Sequence, residues 1–171
     1  MRDLDKKILT RTAMQAERAR LRAAGKTLAF TNGCFDILHP GHIDYLAFAR
    51  RQGDALIVGL NSDDSVRRFK GPDRPIVNEH DRARVISALE AVDYVVIFDE
   101  DEPVALITAI LPDVLIKGAD WAHYVAGREV VERSGGKVVL APLVPGRSTT
   151  NIIATIAQRT TNTPPKTDKM P

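Results

Sequence analysis

The chain has 171 residues, 44% of them hydrophobic and 27% charged, with a formal net charge of +2. That length suits one domain with one sizeable core, and so small a charge gives no basic stripe for nucleic acid while leaving room for a local positive site that holds an anionic small molecule. Cys34 is the sole cysteine, which excludes an intrachain disulfide and a cysteine-built zinc site, and no apolar run reaches the roughly 18 residues of a membrane span.

The opening stretch MRDLDKKILTRTAMQAERARLRAAGK lacks the apolar core of a signal peptide, so a cytoplasmic protein with no membrane partner is the expectation. Residues 4–24 are rich in Leu, Ala, Arg and Glu and read as a helix stopped by Gly25. The short apolar run TLAFTN, 27–32, reads as a buried parallel strand. A helix follows, with Ile43, Leu46, Ala47 and Arg50 at helical spacing. ALIVGLN, 55–61, is a second strand, and residues 62–78 read as a brief helix and then a loop. Residues 79–92 are helical, with Val85, Ile86 and Leu89 on one side. YVVIF, 94–98, is a third strand, and Pro103 suits the start of the next helix. VLIKG, 114–118, is a fourth strand, a helix runs on from Trp121 to Gly135–Gly136, and KVVLAP, 137–142, is a fifth strand. A turn and a final helix follow, then a tail without apolar periodicity.

Strands alternating with helices predict an α/β fold: a Rossmann-like, doubly wound, five-stranded parallel sheet with helices on both faces, in a single domain. Residues 1–25 form an N-terminal helical segment, 26–159 the catalytic domain and 160–171 a disordered tail. Ligands of such folds bind beyond the carboxyl ends of the strands, where the strand order reverses. The chemically informative residues do follow strands.

His39-Pro40-Gly41-His42 lies between the first strand and its helix. Gly41 lets a phosphate approach the backbone, the helix amino terminus offers free N–H groups, and two imidazoles can donate to charge developing during transfer. A zinc pair lacks an evident third ligand. Arg147-Ser148-Thr149-Thr150 opens the last helix; one hydroxyl suffices for a cap, whereas three with an arginine suit a polyphosphate. Lys70 and Lys117 each place a cation beside a glycine, Lys117 at the ligand edge of the fourth strand. Asp36 could hold a metal, orient His39 or cap a helix. Asn61 and Asp63 could meet a nucleoside or cap a short helix. Trp121 reads more simply as core than as pocket wall, and Cys34 as a small packed residue rather than a nucleophile.

GCFDILHPGH with GRSTT resembles the H-x-G-H nucleotidyltransferases, the group that includes cytidylyltransferases and pantetheine-phosphate adenylyltransferase. FTNGCFDILHPGH, VGLNSD, FKGPDRP, LPDVLIKGADW and VPGRSTTNII are similar, more narrowly, to the bacterial heptose-1-phosphate adenylyltransferases of ADP-heptose and lipopolysaccharide synthesis. The resemblance runs from Lys26 to Gln158. It departs at FDEDEP, 98–103, where Thr is usual before the proline, which touches the contacts of Glu102.

The resemblance implies ATP and D-glycero-D-manno-heptose 1-phosphate as substrates, Mg2+ with the ATP, a homodimer, and a separate heptose kinase upstream. His39, His42, Lys70 and Arg147 would serve catalysis. Phe35, Asp36, Gly41, Asn61, Asp63, Ser148, Thr149 and Thr150 would bind the nucleotide. Asn32, Gly33, Cys34, Asp36, Lys117, Gly118, Asp120 and Trp121 would border the sugar phosphate. Metal ligands stay unassigned. Rival readings are a cytidylyltransferase acting on glycerol phosphate or a similar alcohol phosphate, a GDP-heptose-forming variant, and a non-catalytic nucleotide sensor.

Overall fold

The computed structural model describes residues 3–142 and 148–161. Among these, five strands form: β1 (Leu28–Gly33), β2 (Ala55–Asn61), β3 (Tyr94–Phe98), β4 (Val114–Gly118) and β5 (Lys137–Ala141). The helices are α1 (Arg11–Ala23), α2 (Pro40–Arg50), α3 (Asp63–Lys70), α4 (Glu79–Ser87), α5 (Val104–Ile110), α6 (Arg128–Arg133) and α7 (Thr149–Thr161). Every strand pair is parallel and the order is β3-β2-β1-β4-β5. The doubly wound α/β expectation therefore holds.

Side-chain alternation along the strands divides the core into two layers. Leu28 and Phe30 of β1, Ile57 of β2 and Leu115 of β4 pack with Met14 and Leu21 of α1, Leu106 and Ile110 of α5 and Val131 of α6. Ala29, Leu56, Val58, Leu60, Val114 and Ile116 face the other way, onto Leu46 and Ala49 of α2 and Ala83 and Ile86 of α4. Gly59 is a glycine because Phe30 lies against it: a Cβ there would sit 2.9 Å from the phenyl tip.

The strand order reverses between β1 and β4, and there the sheet splays. Partners on β1 and β2 run from Leu28↔Ala55 to Gly33↔Leu60, whereas β1 and β4 pair at Ala29↔Val114 and Phe30↔Leu115 and part beyond. A crevice opens at the carboxyl ends of these two strands, the position such topologies reserve for ligands.

Several expectations need correction. Residues 4–24 do not form one helix. A 3-10 turn at Asp5–Lys7 is followed by extended residues, and Ile8 bridges Val95 at the free edge of β3 before α1 begins. Pairing with an open sheet edge outweighs helix propensity here. Residues 79–92 are helical only to Ser87, because Lys7 Nζ donates to the carbonyls of Ser87 (2.8 Å) and Val92 (2.7 Å) and caps the end. Val85 is 50% exposed and does not share the buried side with Ile86. Past Trp121 the chain turns until Gly127, and helix is confined to Arg128–Arg133. The first strand starts one residue later than expected. Helix α7 takes in residues 160 and 161 of the expected tail; residues 162–171 lie outside the described residues.

Candidate active site

The crevice is a cavity of about 440 Å³, walled by the ends of β1 and β4 and by the first turns of α2 and α7. Its lining brings together Asn32, Gly33, Cys34, Phe35, Asp36, His39, Gly41, His42, Lys70, Lys117, Gly118, Asp120, Trp121, Ser148, Thr149 and Thr150. A second lobe shares Asn32, Lys70, Lys117 and Trp121 with the first and continues past Asn61, Phe69, Glu102, Pro103 and Tyr124. Asp63 lines neither lobe. Arg147 lies outside the described residues.

His39 is the N-cap of α2, with extended backbone and no side-chain cap bond, and Pro40 takes the first helical position. Gly41 and His42 of this first turn line the cavity, the His42 N–H turning back to the His39 carbonyl at 2.9 Å, and a helix start without a side-chain cap is suited to an anion. The His39 and His42 rings stack with centroids 3.8 Å apart and planes inclined by 20°. Phe35 meets His42 edge-on at 5.3 Å. The phenyl ring of Phe35 also lies on Gly33, where a Cβ would be 3.1 Å from it. To reach this place Phe35 adopts a left-handed φ of 44°, a costly conformation for a bulky residue. Burial, and then the neighbouring His39, lower the pKa of His42 to about 4, so its ring is neutral at pH 7.

At the opposite wall, Ser148 Oγ accepts from the N–H of Asn151 at 3.1 Å and caps α7. Thr149 Oγ1 donates to the carbonyl of Ile37 at 3.1 Å, joining α7 to the loop that carries the histidines. Lys117 ends β4 with its ammonium 5.8 Å from the centre of the Trp121 ring. Burial lowers its pKa to about 8, against the opposing pull of Asp120, Glu102 and Cys34. Trp121 is 51% exposed and stands on the cavity wall, so the expectation that it fills the core is wrong. Burial pushes the Cys34 thiol up, which suits a packed residue rather than a nucleophile.

The carboxylate of Asp36 accepts from Arg74 Nε (2.7 Å) and from the N–H groups of Ile76 (2.9 Å) and Val77 (2.9 Å). Burial raises its pKa, but the amides of Val77 and Ile76 and the Arg74 guanidinium outweigh that and hold it below the usual value. Of the three sequence readings for Asp36, none describes this role: it fastens the 74–77 loop to the histidine loop. Asp63 likewise pairs with Arg82 Nη2 at 2.6 Å rather than reaching the cavity. Asn61 is buried and donates to Ser65 Oγ at 3.0 Å.

Sequence reasoning missed Arg74, Tyr45 and Arg82. Tyr45 lines the cavity and shares a 2.6 Å hydrogen bond with Thr31. Arg82, fully buried on α4, donates to the carbonyls of Val77 (2.8 Å), Cys34 (2.6 Å) and Asn61 (2.9 Å), tying together the ends of β1 and β2 behind the site. A charged residue among Val85, Ile86 and Ala83 on a core helix was the signal that could have found it.

Two helix amino termini, a stacked histidine pair and flanking lysines around one crevice of a parallel sheet are the arrangement of a nucleotidyltransferase. The chain belongs to the cytidylyltransferase-like family, whose model matches residues 30–161. It is 51% identical over 162 residues, 94% of its length, to the bifunctional protein HldE of Trichlorobacter lovleyi. It is 56% identical over 148 residues, 86% of its length, to the bifunctional protein HldE of Hyphomonas neptunium. These matches span 33% and 30% of the two relatives, so the chain corresponds to about a third of their length. Among solved structures, the lipopolysaccharide core biosynthesis protein of Thermoplasma volcanium is similar with a TM-score of 0.58 and 30% identity, covering 70% of this chain and 98% of that one. Pantoate-beta-alanine ligase of Francisella tularensis, at 15% identity over 94% of this chain and 81% of its own, shares the fold with a TM-score of 0.59. Among the described residues no helix is long and apolar enough to cross a membrane.

Proposed function

We propose that the chain transfers AMP from ATP to D-glycero-D-manno-heptose 1-phosphate, forming ADP-heptose and pyrophosphate for lipopolysaccharide core synthesis in the cytoplasm. The observation that carries this reading is the two-lobed cavity. One lobe lies between the amino ends of α2 and α7, as a triphosphate requires, and the other leads away past Lys117, Trp121 and Tyr124. The HldE relatives and the sequence resemblance to heptose-1-phosphate adenylyltransferases support the substrate pair.

An oxygen of the sugar phosphate attacks the α-phosphorus of ATP in line. One P–O bond forms, the bond to the β-phosphate breaks, and pyrophosphate leaves with the electron pair. The attacking phosphate is already ionised, so the site needs alignment and charge stabilisation rather than a strong base. His39 and His42, the latter neutral at pH 7, donate N–H to the α- and β-phosphate oxygens. The amides of α7 with Ser148, Thr149 and Thr150 hold the departing pyrophosphate, helped by Lys70 and Arg147. Lys117 pairs with the acceptor phosphate, and Trp121 and Tyr124 wall the sugar.

Among the described residues no group of three His, Cys, Asp or Glu side chains stands ready for a metal. Magnesium would enter with the triphosphate rather than on a protein carboxylate cluster, and the chemistry it would supply is neutralisation of phosphate charge. The acceptor requires a kinase that phosphorylates the sugar at C1; a separate kinase and a homodimer complete this reading.

The family's cytidylyltransferase description favours one rival, CTP with glycerol phosphate or a similar alcohol phosphate. Pyrophosphate release across the four NTPs, each with heptose 1-phosphate and with glycerol phosphate, separates the two. ATP with the heptose is the expected best pair; a higher kcat/KM for CTP with glycerol phosphate would sink the proposal.

A further inference from the structure

We propose that Arg74 is a further phosphate-binding cation of this site and that Asp36 is its positioning residue; the nature of the anion rests on the nucleotide reading above. Arg74 follows α3 on the stretch that Gly71, at a φ of 94°, turns away from the helix. Its Nε is fixed on the Asp36 carboxylate, whose side chain is 1% exposed, while Arg74 keeps 14% of its own surface open and lines the cavity with His39, His42 and Lys70. Among the described residues no acceptor takes the terminal amino groups of Arg74. A guanidinium anchored through Nε presents those groups in a fixed plane, the geometry that meets two oxygens of one phosphate.

A purely structural reading of the pair accounts for less. A buried Arg–carboxylate pair contributes little net stability compared with apolar packing, because desolvating both ions offsets their attraction. Two backbone amides already satisfy Asp36. The Asp36–Arg74 pair is formally neutral, so what it offers an anion at the cavity wall is the directed N–H groups of the guanidinium terminus. Asp36 also lies three residues before His39, so one loop sets both the histidines and the arginine. The pair therefore carries a second cation to the side of the cavity where Lys70 stands, facing a triphosphate.

The test is nucleotide affinity by calorimetry on the full chain without acceptor, using whichever of the four NTPs the wild type binds most tightly, beside the matching nucleoside. Arg74→Gln should weaken the NTP about tenfold or more and leave the nucleoside within about twofold, with Arg74→Lys recovering part of the loss. Asp36→Asn should weaken the NTP less. Combined with Arg74→Gln it should add nothing, since it acts through the arginine. Unchanged NTP affinity in Arg74→Gln overturns the proposal. Additive losses in the double variant overturn the role of Asp36. Thermal melting of each variant identifies loss of fold, and if Arg74→Gln does not fold, the Arg74→Lys affinity decides. A wild type that turns over no sugar phosphate yet binds NTP in an Arg74-dependent way keeps this inference and removes the proposed function; normal turnover with Arg74-independent NTP binding does the reverse.

Discussion

His39 and His42 stack face to face, ring centroids 3.8 Å apart, at the first turn of α2. Two imidazoles this close cannot both take a proton cheaply, and burial adds to the penalty. His42 is held at about 4 and is neutral at pH 7, which suits it to the N–H donor role proposed for it.

The first prediction follows from that state. NMR titration of the free protein should show His42 protonating near pH 4, well under the ordinary 6.5, and bound NTP should raise that midpoint because phosphate charge favours the imidazolium. The same shift makes the folded state refuse a proton that the unfolded chain accepts. Stability should therefore fall as pH drops from 6.5 towards 4, and His42→Gln should soften that fall. A midpoint near 6.5 in the free protein would contradict the buried, coupled pair.

Lys117 gives effects of opposite sign for binding and stability. Its folded pKa is about 8 against an ordinary 10.5. Below pH 8 the ammonium is present in both folded and unfolded chains, it is available for the grip on the acceptor phosphate proposed above, and its burial costs stability in full. Between pH 8 and 10.5 the unfolded chain binds more protons, so that cost is relieved as pH rises while the grip is lost. We expect kcat/KM for the acceptor to fall above pH 8 and the stability difference between wild type and Lys117→Met to shift towards the wild type over the same range. Parallel pH profiles for wild type and Lys117→Met would refute this.

Thr149 joins α7 to the histidine loop through the Ile37 carbonyl. Thr149→Val leaves that carbonyl without its donor and removes a hydroxyl from the phosphate lobe. We expect a KM for NTP raised by the equivalent of about 1–3 kcal/mol, a smaller change for the sugar phosphate, and near-normal values in Thr149→Ser. Damage confined to the sugar phosphate would move the residue to the other lobe.

Arg82 holds three carbonyls and Asp63 with a fully buried side chain. Arg82→Met should lower the unfolding free energy by about 3–5 kcal/mol, read from denaturant midpoints, because Asp63 and the carbonyls lose their partner. A loss under about 1 kcal/mol would show that water or relaxation replaces those contacts.

The strands were legible because each is a short apolar run between turn residues, and β2, β3 and β4 fall on the expected residues. The histidine turn and the hydroxyl cluster were legible because their chemistry is local: a glycine, a helix start and the donors lie within a few positions. Asp36 misled because its partners, Arg74 and the amides of Ile76 and Val77, lie 38 or more positions along the chain. Arg82 was hidden for the same reason, reaching Cys34 across 48 positions. Trp121 reads as core in the sequence because apolar character gives no direction, and a pocket wall and a core both call for it. The N-terminal helix was overextended because propensity takes no account of the bare edge of β3, which Ile8 joins.

The central claim is nucleotidyl transfer dependent on the histidine pair. Its most direct test is pyrophosphate release and mass identification of the sugar nucleotide from ATP and heptose 1-phosphate, with wild type, His39→Ala and His42→Ala compared at matched thermal stability. We expect ADP-heptose and stoichiometric pyrophosphate from the wild type, and a kcat about a hundredfold lower in each variant. Near-normal turnover in both variants, or ATP binding without any pyrophosphate from the wild type, would contradict it.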